Sequence, residues 1–349
     1  MNKDPFDSQL YDFYLPKELI AQLPPQKRSS SRLFVYYKNS DKYEHLYFSQ
    51  IIDLLDENYC IVFNNTKVEP RKIICFKPTG GKIPILITSY KDNLIRCLPY
   101  KTLGKTRKLI LPQQKILEVT GYDETTGEWI LEGEIRKEEV SEIINKYGLT
   151  PLPPYIKRNN HEKLEPIDKE RYQTIYAKVP SSIAAPTAGF HFDEEIIAKL
   201  QQKGIKILYI TLNIGISTFK PIKSQDIREH KIFPEKAIVD KTTAETLNEL
   251  KSKGKKILCV GTTSVRTLEF LMYRFGKIVP YEGDVDIYIY PGYKFLITDS
   301  MVTNFHLPKS TNLLLVAAFV GTEKLLGLYK IAIENKYRFY SYGDAMLIL

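Results

Sequence analysis

KILCVGTTSVRTLE, residues Lys256–Glu269, changes period in its middle. The first five residues are an apolar, β-rich run, which predicts a buried strand over Lys256–Val260. Gly261 breaks the run, and a helical pattern follows over Val265–Arg274. A strand, a polar loop and a helix N-terminus in that order form the unit of an α/β layered domain. Ser264 or Thr263 can cap this helix, and its unpaired backbone N–H groups favour an anion. Arg266 and Glu269 are three apart and share a helix face. Two readings follow. One is an ordinary cap with a surface ion pair. The other is a pocket in which Thr262, Thr263, Ser264 and Arg266 hold a carboxylate.

The same rhythm extends outward from this unit. A helix is predicted over Glu194–Lys203, a strand over Lys206–Ile214 and a helix over Ala244–Ser252. After the central unit come a strand at Ile287–Tyr290 and helices at Thr311–Phe319 and Glu323–Asn335. A final strand lies within Arg338–Leu349. Such alternation predicts a largely parallel sheet. Strands at Arg32–Tyr37 and Cys60–Phe63, after a short helix over Phe13–Pro24, can join it.

From about Pro70 the texture differs. Short β-type runs at Lys72–Phe76, Ile83–Ser89, Leu94–Leu98, Lys108–Leu111, Ile116–Val119 and Trp129–Gly133 are separated by turn signals such as Thr79-Gly80-Gly81. Six strands at this spacing predict a small β-barrel. A helix over Glu138–Tyr147 follows, Gly148 ends it, and LPPYIKR (Leu152–Arg158) marks a boundary. The expected fold is therefore a three-layer α/β/α domain built from residues 1–68 and 150–349. A β-barrel domain, residues 69–149, is inserted into it.

The 349 residues suit two domains, and 43% hydrophobic with 26% charged residues is ordinary for a globular protein. A net charge of +9 and a pI near 9.0 invite a polyanionic partner such as RNA. The N-terminus is polar and acidic, unlike a signal peptide. The longest apolar stretch, Leu313–Val320, is far short of the ~20 residues that span a bilayer, so no membrane partner is expected. Cys60, Cys75, Cys97 and Cys259 sit singly among apolar residues and form no CxxC pair, which predicts reduced, buried strand cysteines in a cytosolic protein. HEKLE (His161–Glu165) lacks the second histidine of a zincin motif, and no metal site is expected. GxxxxGK[ST], GxGxxG and GxSxG are absent. Nucleotide hydrolysis, dinucleotide binding and α/β-hydrolase chemistry therefore lose ground.

Three further loops crowd polar and small residues before an element. SIAAPTAGFHF (Ser182–Phe192) precedes a helix that Asp193 can cap. Ala185, Pro186 and Gly189 let a flat ligand approach the backbone. His191 is either a base near neutral pH or a satisfied core residue. VTNFHLPKST (Val302–Thr311) places Asn304, His306, Lys309 and Ser310 before an apolar helix, and a cap role explains Ser310 alone. Tyr342 and Asp344 stand at the entrance of the last strand, in a tight turn or a site. In LPPYIKR and KERYQTIYAK (Lys169–Lys178), Lys157, Arg158 and Arg171 interleave with Tyr155, Tyr172 and Tyr176. Basic residues can grip phosphate while rings stack on an extruded base.

Taken in order, the segments are specific. YDFYLPKELIAQLP, RSSSRL, LPPYIKR, ERYQTIYAK, SIAAPTAGFHF, VGTTSVRTLE, YPGYKF, TNFHLPKST and YSYGDAML run from Tyr11 to Leu347. Together they resemble the S-adenosylmethionine:tRNA ribosyltransferase-isomerase family of queuosine biosynthesis. The resemblance implies that the ribosyl moiety of S-adenosylmethionine moves onto 7-aminomethyl-7-deazaguanine at the tRNA wobble position and isomerises. The products are epoxyqueuosine-tRNA, adenine and methionine. S-adenosylmethionine is then a substrate, with no bound cofactor and no metal. The partner is the anticodon arm of the tRNAs for Tyr, His, Asn and Asp. A cytoplasmic monomer is expected.

The nucleophile resembles lysine, with a pKa of about 10, so freeing its lone pair at pH 7 costs roughly 4 kcal/mol. A base or a dry pocket must offset that. The catalytic candidates are His191, Thr187, Glu269, His306 and Asp344, with His191 the leading base. Arg266 and the Ser264 loop would hold the methionine carboxylate, and Asn304 would read adenine. Ala185, Pro186, Gly189, Thr262, Thr263, Lys309, Ser310 and Tyr342 complete the substrate site. Arg71, Tyr155, Lys157, Arg158, Arg171 and Tyr172 would meet tRNA. Two positions depart from the family pattern. Asn65 replaces its usual aspartate and Asn213 its usual histidine. They define the alternative reading, a tRNA-binding homologue impaired in catalysis.

Overall fold

The computed structural model describes residues 4–158, 161–215 and 221–349. Its strands in chain order are β1 (Arg32–Tyr37), β2 (Lys42–Tyr47), β3 (Tyr59–Asn64), β4 (Thr66–Val68), β5 (Lys72–Phe76), β6 (Lys82–Lys91), β7 (Leu94–Pro99), β8 (Lys108–Ile110) and β9 (Ile116–Asp123). They continue with β10 (Glu128–Glu132), β11 (Val179–Ser182), β12 (Lys206–Leu212), β13 (Glu235–Val239), β14 (Lys256–Val260), β15 (Tyr281–Val285), β16 (Ser300–Asn304) and β17 (Ala345–Ile348). The helices are α1 (Ile51–Leu54), α2 (Lys137–Tyr147), α3 (His161–Arg171), α4 (Glu194–Gln202), α5 (Lys241–Ser252), α6 (Thr262–Phe275), α7 (Thr311–Val320) and α8 (Thr322–Glu334).

Nine strands form one sheet in the order β15-β13-β12-β3-β14-β16-β17-β1-β2. Both its faces are buried, and the side chains divide by strand alternation. Phe34, Val62, Ile210, Ile257 and Cys259 point to one face, where Leu247 of α5, Leu268 of α6, Leu314 of α7 and Leu325 of α8 cover them. Leu33, Ile61, Phe63, Leu258 and Val260 point to the other, under Ile51 of α1 and Ile196 and Leu200 of α4. The result is the expected α/β/α layering.

The sheet is less parallel than expected. β12, β3, β14 and β16 run parallel, as do β17 and β1, but the pairings of β15 with β13, β13 with β12, β16 with β17 and β1 with β2 are antiparallel. Hairpin-type partners thus flank a parallel centre.

β5 to β10 close into the expected six-stranded barrel, in the order β10-β7-β6-β5-β8-β9. Ile73, Cys75, Ile85, Ile87, Leu117 and Leu131 fill it, and Val140, Ile143 and Ile144 of α2 pack on the same cluster. β4 and β11 pair in parallel on either side of this segment, so the chain leaves for the barrel and returns side by side. All four cysteines are buried and free.

Two expected elements are absent. Phe13–Pro24 holds one 3-10 turn at Lys17–Leu19 rather than a helix. Leu15, Leu19 and Ile20 pack on the core separately, and Ile20 bridges to Phe339, so the backbone is drawn out along the protein. Ile287–Tyr290 is not a strand; the sheet edge is taken by β15 just before it. Among the described residues no single helix is long and apolar enough to cross a membrane, and α7 and α8 meet at 111°.

Candidate active site

The four parallel strands β12, β3, β14 and β16 carry the loops that follow them to one end of the sheet, the position where open α/β sheets bind ligands. There a cleft encloses about 840 Å³ of empty space, part of it open to solvent. Tyr155, Tyr172, Ala185, Pro186, Thr187, Thr262, Thr263, Arg266, Asn304, His306 and Ser310 line it, all expected from sequence. Glu235, Asn312, Thr303, Tyr340 and Ser341 line it too. Asn312 lies two residues from Ser310 and could have been included. Glu235 comes from the antiparallel strand β13, which carried no loop motif to single it out.

The helix N-terminus below the cleft differs from expectation. Gly261, with φ of +84°, takes the N-cap position, a backbone conformation that L side chains rarely adopt. Neither Thr263 nor Ser264 caps. Ser264 is buried and its Oγ donates back to Val260 O at 3.0 Å. Thr262 Oγ1 donates to Asn312 Oδ1 at 3.0 Å. At α7, Ser310 does cap, accepting from Leu313 N at 3.3 Å.

Arg266 does not pair with Glu269. Its Nη1 donates to Glu235 Oε2, and Glu235 Oε1 also accepts from Gly215 N at 2.9 Å. Nε and Nη2 of Arg266 are buried without a protein partner, as is Thr263 Oγ1. Unpartnered guanidinium N–H groups at a cleft wall are prepared for an acidic ligand. Glu269 lies outside the lining. Its carboxylate accepts from Leu296 N, Ile297 N, Thr298 N, Thr298 Oγ1 and Tyr293 Oη, so it braces the 293–298 loop.

Asn304 sits at the centre of a fixed network. Its Oδ1 accepts from Thr187 Oγ1 at 2.9 Å, and its Nδ2 faces Tyr340 O at 3.3 Å and His191 Nε2 at 3.2 Å. His191 Nδ1 meets Ser31 Oγ at 2.7 Å. His191 is 2% exposed and stands behind Asn304, not in the lining. Burial lowers its pKa to about 4, against a smaller upward pull from Asp344. His306, in the lining, bonds Thr303 Oγ1 through Nε2 at 2.8 Å, and burial lowers its pKa to about 3.

Several expected site residues serve the framework. Gly189 is buried because any Cβ there would fall 2.0 Å from Tyr176 Oη; it makes room for a tyrosine, not a ligand. Lys309 pairs with Asp12 at 3.0 Å outside the cleft. Asp344 is buried and accepts from Arg32 N, Arg338 N and Arg338 Nη2. Tyr342 donates to Asp168 at 3.3 Å. That Asp168 is held by Arg158 in a two-pronged pair, 2.7 Å on each side, with both side chains only 2% exposed. Arg171 donates to the carbonyls of Pro25 and Gln26, and Arg71 to Glu69 and Thr88 O. Of the basic residues expected to meet tRNA, Lys157 alone is exposed. The aromatic part survives differently: Tyr155 packs on Tyr340 with ring centroids 4.7 Å apart, forming one wall of the cleft.

Asn65 and Asn213 both have structural partners. Asn65 Oδ1 accepts from Thr211 Oγ1 at 2.7 Å, and Asn213 Oδ1 accepts from Ser181 Oγ. Among the described residues, no group of three or more His, Cys, Asp or Glu side chains is placed to hold a metal ion.

The chain matches the family model described as queuosine biosynthesis protein over residues 8–348. It is 44% identical to the S-adenosylmethionine:tRNA ribosyltransferase-isomerase of Aquifex aeolicus (strain VF5), over 97% of this chain and 98% of the relative. The proteins of the same name from Sulfurihydrogenibium sp. (strain YO3AOP1) and Legionella pneumophila (strain Lens) are 42% and 40% identical, over 97% of this chain and 98% and 99% of theirs. The crystal structure of S-adenosylmethionine tRNA ribosyltransferase from Thermotoga maritima superposes with a TM-score of 0.54 at 30% identity, over 97% of this chain and 100% of that one. By these matches, and by the run of motifs that builds its cleft, the chain belongs to the queuosine biosynthesis protein family.

Proposed function

We propose that this protein transfers and isomerises the ribosyl moiety of S-adenosylmethionine onto 7-aminomethyl-7-deazaguanine at the tRNA wobble position, releasing adenine and methionine. The observation that carries this reading is the cleft itself. Loops from β14, β16 and the 184–188 segment, far apart in sequence, converge at the sheet end with fixed hydrogen-bonding groups and an incompletely partnered arginine. Arg266 takes the methionine carboxylate by charge-assisted bonds from Nε and Nη2. Thr187, Asn304 and His306 line the part that receives the nucleoside. The Tyr155–Tyr340 wall supplies π faces to a flat base or a sulfonium cation.

The sulfonium is an electron sink in the substrate, so the protein's work is to position groups and handle protons. His191 and His306, held neutral by burial, are hydrogen-bond partners at pH 7 rather than cations. The substrates are the tRNAs for Tyr, His, Asn and Asp, met through the anticodon arm by a cytoplasmic monomer. Residues 69–149 form a separate barrel unit inserted into the α/β domain of residues 1–68 and 150–349. The catalytically impaired reading is not favoured, since Asn65 and Asn213 sit in satisfied contacts and leave the cleft intact. Incubating the protein with S-adenosylmethionine and tRNA bearing the aminomethyl base, then digesting and weighing the nucleosides, tests the proposal. Epoxyqueuosine is the expected product; unchanged base would reject it.

A further inference from the structure

A second cavity adjoins the cleft. It encloses about 600 Å³ of empty space, part of it open to solvent, between the barrel rim and the sheet end. Thr88, Glu128, Ser181, Asn213 and Pro234 are among its walls, and it shares Ile214 and Glu235 with the cleft. Glu235 therefore stands at the junction of the two spaces.

The charge on the two sides of Glu235 differs. On the cleft side lies Arg266, with two buried guanidinium nitrogens unpartnered. On the barrel side the described lining holds two carboxylates, Glu235 and Glu128, and no lysine or arginine. That is unusual in a chain of net charge +9. Arg96 approaches Glu128 at 3.4 Å but is closer to Asp123, at 3.0 Å. Thr88 Oγ1 donates to Glu128 from within the same cavity wall. A cation entering this space meets carboxylates whose other contacts already hold them in place.

We infer that the cavity between Glu128 and Glu235 is the seat of the acceptor base, and that these two carboxylates select its primary ammonium group. The inference rests on the proposed reaction and deepens it. The donor nucleoside occupies the cleft, the base carrying the amine occupies the barrel-side cavity, and Glu235 lies between them. Such an arrangement recognises a charged amine and disfavours the same base without one, because an uncompensated pair of carboxylates is costly to enclose.

The test compares binding of two anticodon stem-loops to the full-length protein. One carries 7-aminomethyl-7-deazaguanine at the wobble position and the other 7-methyl-7-deazaguanine, which lacks the amine. Charge-assisted bonds to one ammonium predict about tenfold tighter binding of the amine form. In Glu128→Gln and in Glu235→Gln that ratio falls towards one. Glu128→Gln leaves the Arg266 pair intact and decides the matter alone if Glu235→Gln does not fold. An unchanged ratio in Glu128→Gln, in protein that still turns over S-adenosylmethionine, overturns this inference and leaves the proposed reaction standing. Absence of turnover in the unaltered protein would instead reject the proposed reaction.

Discussion

His191 Nε2 lies 3.2 Å from the Asn304 amide nitrogen, on the side of Asn304 away from the cleft. The Tyr340 carbonyl, at 3.3 Å from the same nitrogen, fixes which end of the amide it is. The histidine nitrogen is therefore the acceptor, and its Nδ1–H donates to Ser31. Both ends of the Asn304 amide are occupied, with Oδ1 taking the Thr187 hydroxyl. A residue so placed shapes the cleft wall, and His191 acts through it as a positioning residue.

His191→Ala is expected to lower kcat/KM about tenfold, the equivalent of one lost hydrogen bond at a fixed wall. His191→Gln supplies an amide acceptor and should recover part of the loss. Steady-state adenine release checks both. A His191→Ala enzyme with its pH–rate profile displaced, rather than lowered throughout, would return His191 to the role of base.

The buried histidines also set a pH limit on stability. In the unfolded chain a histidine binds its proton near pH 6.5, whereas folded His191 binds it only near 4 and His306 near 3. The unfolded state thus holds more protons between those values, and stability falls as pH drops from about 6.5. His191 alone accounts for about 3 kcal/mol over that window. Thermal melts should show Tm falling between pH 7 and 4.5, with a shallower fall in His191→Gln. Glu139, held down to about 2 by Lys115 and Arg136, acts only below its ordinary range near 4.5 and leaves the upper window to the histidines.

Arg266 should govern donor binding. Arg266→Ala removes the two free N–H groups and leaves Glu235 buried without its partner, a change of about 3–5 kcal/mol in stability. Arg266→Lys keeps the charge but not the planar fork. Calorimetric titration with S-adenosylmethionine is expected to show at least about tenfold weaker binding for Arg266→Lys. Unaltered affinity would move the carboxylate elsewhere.

Arg158 and Lys157 are adjacent but should behave oppositely. Arg158→Ala leaves Asp168 buried and unpaired, with an expected loss of about 3–5 kcal/mol in unfolding free energy. Lys157→Ala should leave stability unchanged and reduce the salt dependence of tRNA binding by about one phosphate contact. Denaturant melts and binding over a salt series separate the two.

These contrasts show where the sequence was legible. The strand–loop–helix unit at Lys256–Glu269 and the six barrel strands were readable because period and turn chemistry are local. The cleft residues Thr187, Arg266, Asn304 and His306 were readable because their loops are poor as structure alone. β13 was missed, and with it Glu235, because EKAIV (Glu235–Val239) resembles many short edge strands and its importance comes only from pairing across the sheet. Arg158 and Arg171 were read as RNA contacts because sequence shows charge but not the buried Asp168 or the Pro25 and Gln26 carbonyls that take their N–H groups. Glu269 was placed in the site by its spacing from Arg266, yet the 293–298 loop claims every contact of its carboxylate.

The account turns on where the donor sits, and a crystal structure of the protein soaked with S-adenosylmethionine tests that most directly. The methionine carboxylate is expected on Arg266 Nε and Nη2, with the nucleoside against Thr187, Asn304 and His306. Density for the ligand elsewhere, such as in the aromatic groove between Tyr273 and Tyr288, with the cleft empty, would contradict it.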